Sequence, residues 1–187
     1  MTSVDRLLQN WRIRKAGPYI ESGHRVLDLG SADGVLFDRL GRCGPGSVGI
    51  DPTLRNNRVT RQGFRLIRGY FPGDLPSDAG PFDVMVMLAV LEHIPAGLLP
   101  GLSQGCARLL KPGGRLVITV PSPAVDAILG VLTRLRLIHG MSLEEHHGYD
   151  IRETPAVFGP PSFRLLVHET FQLGLNHLFV FERTTAS

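Results

Sequence analysis

The sequence predicts an α/β fold: a doubly wound, mostly parallel sheet that ends in a C-terminal antiparallel hairpin. Short apolar runs alternate with amphipathic stretches up to residue 120, and neighbouring parallel strands require such crossover connections. The last two strand-like runs, residues 163–171 and 176–181, are separated by four residues that include Gly174. That spacing is typical of a hairpin and places at least one antiparallel strand in the sheet.

The order of the elements follows from the hydrophobic period and from the glycines and prolines at the turns. Residues 82–88 are almost entirely apolar, as expected for a strand that is covered on both faces. The predicted strands before the hairpin are residues 25–29, 47–50, 64–67, 82–88 and 115–120. The predicted helices are residues 35–40, 54–62, 98–110 and 124–138.

The composition favours a single folded domain that spans residues 1–187. Hydrophobic residues make up 43% and charged residues 20% of the chain, which is close to the average of globular proteins. The longest strongly apolar stretch, residues 84–91, is far shorter than a membrane-spanning helix. Residues 1–11 lack the apolar centre of a secretory signal. We therefore expect no membrane span and a cytoplasmic location.

The cysteines and the net charge further narrow the classes of protein to which the chain can belong. Cys43 and Cys106 form no CxxC pair and no metal-ligand spacing, so we expect reduced thiols and no metal site. The formal net charge of +3 includes five arginines between positions 55 and 68, which can attract an anion. A solvated surface is the simpler interpretation, because no aromatic-interleaved nucleic-acid motif accompanies them.

The turn after the first predicted strand is the expected ligand site, since open α/β sheets bind ligands at the carboxyl ends of their strands. Gly30 and Gly34 in this turn permit close approach of the backbone. Asp51 follows Gly30 by 21 positions, where a carboxylate can accept hydrogen bonds from both hydroxyls of a ribose. A helix cap before Pro52 is the alternative role of Asp51. A dinucleotide fingerprint is disfavoured, because its second and third glycines are missing.

Five segments, in chain order, resemble the motifs of class I S-adenosylmethionine-dependent methyltransferases, in the small-molecule subgroup related to ubiquinone-biosynthesis methyltransferases. They are VLDLGSADG (residues 26–34), VGID (48–51), PFDV (81–84), LEH (91–93) and LLKPGGRL (109–116). The resemblance implies a Rossmann-like methyltransferase fold and S-adenosyl-L-methionine as the cofactor. It also implies methyl transfer to a small-molecule acceptor.

The resemblance further implies roles for single residues. Asp28 and Gly30 would border the methionine portion of the cofactor. Gly34 would approach its sugar, and Asp51 would bind the ribose hydroxyls, while residues 88–92 would lie beside the cofactor and face the acceptor. The full set of predicted cofactor-binding residues is Asp28, Gly30, Ser31, Ala32, Gly34, Asp51, Pro52, Tyr70, Phe71, Leu88, Ala89 and Glu92.

The chain departs from the family pattern at two positions. Ala32 replaces a common glycine, and Tyr70 stands where many members have an acidic residue that contacts adenine. Three interpretations of the second change stay open: Tyr70 and Phe71 pack on the adenine, Asp74 substitutes through a longer loop, or the aromatic residues pack in the core. Both changes motivate an alternative function, a catalytically inactive methyltransferase-like domain for binding or assembly.

Residues 121–158 depart most from a minimal α/β pattern, and we predict that this insertion covers the acceptor. His146 or His147 is the predicted general base or acceptor-binding residue, with Tyr149 assisting orientation, because histidine exchanges protons near neutral pH. A solvated polar loop is the alternative. A nucleic-acid acceptor is disfavoured, because residues 88–91 are LAVL where nucleic-acid amino-methyltransferases carry an Asp/Asn-Pro-Pro-aromatic motif.

Overall fold

The structure of the protein, a computed structural model, describes residues 3–122 and 149–185. These residues form one eight-stranded sheet. Its strands are β1 (Val26–Leu29), β2 (Val48–Asp51), β3 (Arg58–Val59), β4 (Arg65–Arg68), β5 (Phe82–Leu88), β6 (Leu110–Pro121), β7 (Phe163–Phe171) and β8 (Asn176–Arg183). The described α-helices are α1 (Ser3–Ala16), α2 (Val35–Leu40), α3 (Leu99–Leu109) and α4 (Thr154–Val157).

The strands lie in the order β3-β4-β2-β1-β5-β6-β8-β7. The neighbours from β4 to β6 are parallel. Strand β8 runs antiparallel to β6, and β7 runs antiparallel to β8. The direction of winding reverses at β1, which pairs with β2 on one side and β5 on the other, and ligands bind at such a switch point. The predicted α/β fold with a C-terminal hairpin is therefore confirmed.

Helices cover both faces of this sheet. On one face, Ile13 of α1 and Phe37 of α2 pack in the same core cluster as Val86 of β5. On the other face, Leu102 of α3 packs in a second cluster with Met85, the neighbour of Val86. Successive residues of a strand point to opposite faces, so the continuous apolar run of β5 supplies both cores.

The predicted helix over residues 54–62 is wrong. The chain there forms turns and the short strand β3, which pairs antiparallel with β4. Two side chains bond to the neighbouring backbone: Asn57 Oδ1 accepts from the N–H of Arg68 at 2.7 Å, and Thr60 Oγ1 accepts from the N–H of Phe64 at 3.1 Å. Such bonds compete with helical ones, so these polar residues favour a hairpin over a helix.

A further difference concerns the N-terminal end of the chain. Helix α1 was not among the predicted elements, because its apolar positions are interrupted by charges and leave Leu7 and Trp11 exposed. The predicted helix over residues 124–138 lies outside the described residues. Within the described ranges, every helix is too short or too polar to span a bilayer.

Candidate functional site

A tight bend follows β1 at the switch point. Gly30 and Gly34 have φ angles of 74° and 82°, and Ala32 between them has a φ of 44°. The N–H of Gly30 donates to the carbonyl of Ile50 at 2.9 Å. A Cβ atom at Gly30 would lie 2.4 Å from Cγ2 of Val90, so glycine lets this bend approach the segment after β5. Ala32 holds its left-handed conformation at a strain of about 1 kcal/mol.

Asp51 ends β2 and contacts this bend directly. Its Oδ2 accepts a hydrogen bond from the N–H of Ala32 at 2.8 Å. Its Oδ1 accepts from the N–H and the hydroxyl of Thr53 at 2.7 and 2.6 Å. The alternative of a helix cap is wrong, because a turn follows Asp51. A carboxylate has about four acceptor positions, so the contacts from the described residues leave one on Oδ2 for a ligand hydroxyl.

Three carboxylates surround the bend. Asp28 is 4% exposed, and burial raises its pKa to about 8, with further contributions from the charges of Asp51 and Asp33. Neighbouring carboxylates that raise the pKa of Asp28 favour a bound cation there, because a positive charge relieves their repulsion. The bend is therefore suited to a ligand that combines hydroxyl groups with positive charge.

A cavity of about 500 Å³ opens beside the bend, and this volume lies in the usual range for small-molecule sites. Four of the predicted cofactor-binding residues line it: Gly30, Pro52, Tyr70 and Phe71. Ile50, Val90 and Ile94 contribute to the rest of a mainly apolar wall. We call the carboxyl ends of β1, β2 and β4, together with this cavity, the cofactor edge.

The loop after β4 is tied back by Asp74. The Oδ2 atom of Asp74 accepts a hydrogen bond from the N–H of Tyr70 at 2.7 Å, whereas the Tyr70 side chain is 73% exposed and lines the cavity with Phe71. Phe71 also packs on the core. Of the three interpretations of Tyr70, this geometry favours the aromatic residues as the wall for a base, because Asp74 does not line the cavity.

Two other predicted residues shape the bend from inside the fold. Ser31 is 4% exposed, and a Cβ atom at Gly49 would lie 2.6 Å from its Oγ. A Cβ atom at Gly34 would lie 2.9 Å from Cδ1 of Leu66. The side-chain surroundings of both positions are therefore protein, and contact with a cofactor would come through their backbone.

Two of the predicted cofactor-binding residues in the segment after β5, Ala89 and Glu92, do not line the cavity. Ala89 has a φ of 58°, and its N–H donates to the carbonyl of Thr119 at 2.9 Å. Glu92 is 5% exposed and lies near Arg12 of α1, where burial lowers the pKa of Arg12 and the charge of Glu92 partly offsets that effect. Among residues 88–92, Val90 is the one that lines the cavity. Leu88 is half-buried and packs on the α1 face.

The predicted acceptor residues are described in part. His146 and His147 lie outside the described residues. The hydroxyl of Tyr149 lies 2.9 Å from Oγ1 of Thr154, and burial raises the pKa of Tyr149 to about 12. Tyr149 therefore stays protonated at neutral pH, so it can donate or accept a hydrogen bond but is a poor base. Its role in orienting the acceptor stays a prediction.

Two histidines of the hairpin were missed by the sequence analysis. His168 of β7 and His177 of β8 contact each other and line a second cavity. Period-2 alternation along the two predicted strands, once paired around their four-residue turn, would have placed them on one face. Within the described ranges, no group of three histidine, cysteine or carboxylate side chains is arranged to hold a metal ion.

Comparison with known families decides what kind of domain carries this site. A family model described as a methyltransferase domain matches residues 4–170. The chain belongs to this family. The predicted type, a class I S-adenosylmethionine-dependent methyltransferase, is confirmed.

The methyltransferase domain is similar in sequence to longer ubiquinone biosynthesis O-methyltransferases. It shares 33% identity over 124 residues with the mitochondrial ubiquinone biosynthesis O-methyltransferase of Rattus norvegicus, covering 59% of this chain and 35% of that protein. It shares 28% identity over 156 residues with the ubiquinone biosynthesis O-methyltransferase of Bordetella avium, covering 77% of this chain and 63% of that protein. The chain thus spans roughly a third to less than two thirds of the length of these relatives.

Solved structures show the same fold as this methyltransferase domain. The 1,6-didemethyltoxoflavin-N1-methyltransferase of Burkholderia thailandensis, solved with 1,6-didemethyltoxoflavin and S-adenosylhomocysteine bound, matches with a TM-score of 0.69 and 15% identity, covering 97% of this chain and 80% of that one. The N-methyltransferase NodS of Bradyrhizobium japonicum WM9 matches with a TM-score of 0.58 and 16% identity, covering 97% and 99%.

Proposed function

We propose that the chain binds S-adenosyl-L-methionine at the cofactor edge and transfers its methyl group to a small-molecule acceptor. The observation that carries the proposal is the contact between Asp51 Oδ2 and the N–H of Ala32 at 2.8 Å, which joins a carboxylate to the glycine-lined bend beside a cavity. The family of the chain supports it, as do the names of its relatives, which are methyltransferases of small molecules.

The residues present fit this cofactor. The carboxylates of Asp28, Asp33 and Asp51 suit the positive charges of its sulfonium and ammonium groups, and the acceptor position on Asp51 Oδ2 suits a ribose hydroxyl. The apolar wall with Tyr70 and Phe71 suits a flat base. When bound, the sulfonium supplies an activated methyl group. The chain then contributes alignment of the acceptor and exclusion of water, for which a dedicated base is useful when the acceptor is a hydroxyl group.

Further parts of the proposal concern the setting of the site. We place the acceptor under the insertion of residues 121–158 in a single domain that spans residues 1–187, and we place the protein in the cytoplasm. The acceptor class excludes nucleic acid, because the LAVL segment after β5 lacks the polar, aromatic motif of base-modifying enzymes. The insertion lies largely outside the described residues, so its covering role is supported by the sequence.

Calorimetry with S-adenosylhomocysteine tests the proposal. We expect binding to the wild-type chain, and weakening by about tenfold to a hundredfold in Asp51→Ala, because Ala32 and Thr53 lose their acceptor and the ribose loses its partner. The matched control is Asp78→Ala, which removes a carboxylate that pairs with Arg65 at 3.4 Å away from the bend. We expect its affinity to equal that of the wild type.

Three outcomes would contradict the proposal or a part of it. No detectable heat at millimolar S-adenosylhomocysteine or S-adenosylmethionine would exclude cofactor binding and would favour the inactive binding or assembly domain. Equal affinity in folded Asp51→Ala and wild type would remove the ribose assignment. Binding without methyl transfer to any small-molecule hydroxyl, amine or carbon acceptor would keep the cofactor site and remove the enzyme.

A further inference from the structure

A buried chain of hydrogen bonds connects helix α1 to the turn of the β7–β8 hairpin. The Nε–H of Arg12 donates to Oδ1 of Asn176 at 3.1 Å, and Nδ2 of Asn176 donates to Oε1 of Gln172. Asn176 is 1% exposed and Gln172 is 7% exposed. We call these three residues the amide relay. Its last group, Nε2 of Gln172, has no hydrogen-bond partner within residues 3–122 and 149–185.

The direction of the amide relay is set by Arg12. A guanidinium group donates hydrogen bonds and accepts none, so Asn176 must turn its oxygen towards Arg12 and its nitrogen towards Gln172. Gln172 then accepts with its own oxygen, and its NH2 group is left at the end of the relay. A buried donor without an acceptor destabilises a fold. The Gln172 amide therefore lacks an acceptor that the described residues do not supply.

The backbone is strained where it carries this amide. Gln172 and Leu173 have φ angles of 54° and 58°, in the left-handed region that residues other than glycine rarely adopt. Phe171 packs on the α1 face of the sheet, and strand alternation would direct an extended Gln172 to the opposite face. The left-handed turn instead brings the Gln172 amide to Asn176. Strain of this kind is concentrated at ligand-binding sites.

The amide relay is level with the carboxyl end of the sheet. Asn176 pairs with Pro121, the last residue of β6. Two residues earlier, Thr119 of β6 pairs with Leu88, the last residue of β5. The turn that carries Gln172 therefore lies just beyond the ends of both parallel strands. Ligands of open α/β sheets bind at this edge.

The segment after β5 borders both the relay and the cofactor cavity. Val90 of this segment lines the cavity. Glu92, two residues later, is 5% exposed and lies near Arg12: burial lowers the pKa of Arg12, and the charge of Glu92 offsets part of that lowering. Because these opposite charges offset each other, an uncharged ligand group fits beside the relay better than an ion does.

A second buried polar atom without a partner lies next to the relay. Thr119 is fully buried, and its Oγ1 has no hydrogen-bond partner in the described part of the chain. Thr119 pairs with Leu178, which packs on the α1 face, and residues opposite each other in a sheet share a face. Asn176 lies two residues from Leu178 and shares that face too. Two neighbouring strands thus present more polar groups here than the described residues pair.

We propose that the Nε2 amide of Gln172 binds a neutral oxygen of the methyl acceptor, such as a carbonyl oxygen, and that the amide relay sets this preference. The inference rests on the proposed methyl transfer and adds a specificity-determining residue to it. The relay keeps the oxygen of Gln172 turned inward, so an ammonium group finds no hydrogen-bond acceptor there. Strand β8 is two strands from β5, about 10 Å at the usual spacing. The bound oxygen and the atom that receives the methyl group therefore belong to different ends of the acceptor.

Titration with cyclohexanone and cyclohexylammonium tests the preference, because the two probes share a ring and differ in their polar group. NMR spectra of the isotopically labelled chain, recorded without cofactor, identify the NH2 group of Gln172 as the side-chain amide signal that is missing in Gln172→Glu. We expect cyclohexanone to shift this signal at millimolar concentration. Its affinity should exceed that of cyclohexylammonium by about tenfold or more. This comparison uses the wild-type chain and requires no variant to fold.

Two isosteric variants should reverse the preference. Gln172→Glu keeps the oxygen that accepts from Asn176 and replaces the NH2 group by a second oxygen. It should weaken cyclohexanone binding by about tenfold or more and strengthen cyclohexylammonium binding. Asn176→Asp removes the donor to Gln172, so Gln172 turns its NH2 group inward and presents its oxygen. The same reversal is expected, although Asn176 does not touch the probe. Gln104→Glu, at an exposed position of α3, should match the wild type.

Failure of this inference is distinguishable from failure of the proposed function. If cyclohexanone leaves the Gln172 amide signal unshifted at tens of millimolar, or both probes bind equally, the amide holds an ordered water only and the inference is overturned. Unchanged probe preference in folded Gln172→Glu and Asn176→Asp overturns it as well. Calorimetry still reports cofactor binding in each case. If S-adenosylhomocysteine does not bind, the proposed function fails, and the probes still report whether Gln172 binds an oxygen.

Discussion

The bend of the cofactor edge and the β7–β8 hairpin are held together by different parts of the chain. The bend is formed by backbone: left-handed residues at Gly30, Ala32 and Gly34, and N–H groups that bond to the Asp51 carboxylate. The hairpin is joined by side chains, a ladder of rings that crosses from β7 to β8. Backbone geometry is set by a few consecutive residues, whereas a ladder needs two strands in register.

This difference indicates which positions of the chain tolerate amino-acid substitution. A bend that depends on positive φ angles accepts few residue types, so the cofactor edge constrains its sequence tightly. A ladder of rings depends on shape and stacking, which several aromatic residues can satisfy. The same sheet therefore combines a bend that tolerates few substitutions with a hairpin that tolerates more.

The largest effect on stability should come from removing one buried ring in the hairpin, that of Phe179, and one in the helix after the bend, that of Phe37. Phe179 is 1% exposed and Phe37, which stacks on Phe64 at 4.9 Å, is fully buried. Phe179→Ala and Phe37→Ala should each lower the free energy of unfolding by about 3–5 kcal/mol, measured by urea denaturation. Only Phe37→Ala should also weaken S-adenosylhomocysteine binding, by about tenfold, because the N–H of Phe37 ties the first turn of α2 to the carbonyl of Gly34 at 3.0 Å, and a cavity beneath α2 lets that turn and the bend shift.

Phenylalanine-to-leucine variants at both positions are the matched controls, since they retain most of the buried volume and should lose less stability. Equal weakening of cofactor binding by Phe179→Ala and Phe37→Ala would mean that the bend and the hairpin are not independent. In that case the separation between a backbone-built and a side-chain-built site would be incorrect.

The same distinction between local geometry and long-range contacts explains which parts of the fold and of the candidate site could be predicted from the sequence. The bend with Gly30, and Asp51, were predicted because glycine and a strand-ending carboxylate within 21 positions carry the local geometry with them. The cavity residues Pro52 and Tyr70 were predicted from the family resemblance. The family motifs add to that prediction because they are contiguous. The parallel sheet followed from the alternation of strands and helices for the same reason.

What the sequence analysis missed depends on contacts between distant residues. His168 and His177 become a pair only when β7 and β8 are aligned, and Arg12 meets Glu92 and Asn176 across 80 and 164 positions. The wrong helix at residues 54–62 has a local cause instead, since asparagine and threonine there bond to the backbone. The spacing of hydrophobic residues alone does not predict those side-chain-to-backbone hydrogen bonds.

The next effect should appear as a pH dependence at the cofactor edge. Burial raises the pKa of Asp28 to about 8, above its value near 3.8 in an unfolded chain. Between these values the folded state binds more protons than the unfolded state, so stability falls as pH rises from about 4 to about 8. Asp28→Asn has no such proton, and it should exceed the wild type in unfolding free energy by about 2–4 kcal/mol more at pH 8.5 than at pH 5.

Above pH 8, where Asp28 is ionised, Asp28→Asn should also bind S-adenosylmethionine about tenfold more weakly, because it removes one negative charge next to the cationic sulfonium. Asp150→Asn is the control away from the bend, where the carboxylate pairs with Arg152 and its pKa is lowered by that hydrogen bond. It should show no stability gain at high pH. A parallel pH profile for Asp28→Asn and wild type would show that the Asp28 proton is not linked to folding.

The smallest effect should be a coupling within the bend itself. Gly30→Ala imposes a side chain on a φ of 74° and brings its Cβ within 2.4 Å of Val90 Cγ2. Val90→Ala removes that methyl group, so the double variant should recover the steric part of the loss and keep the strain of the left-handed residue. We expect a coupling free energy of about 1–2 kcal/mol from urea denaturation of the four proteins. Additive single effects would indicate that Val90 moves aside freely, and that the bend at Gly30 is required for its φ angle alone.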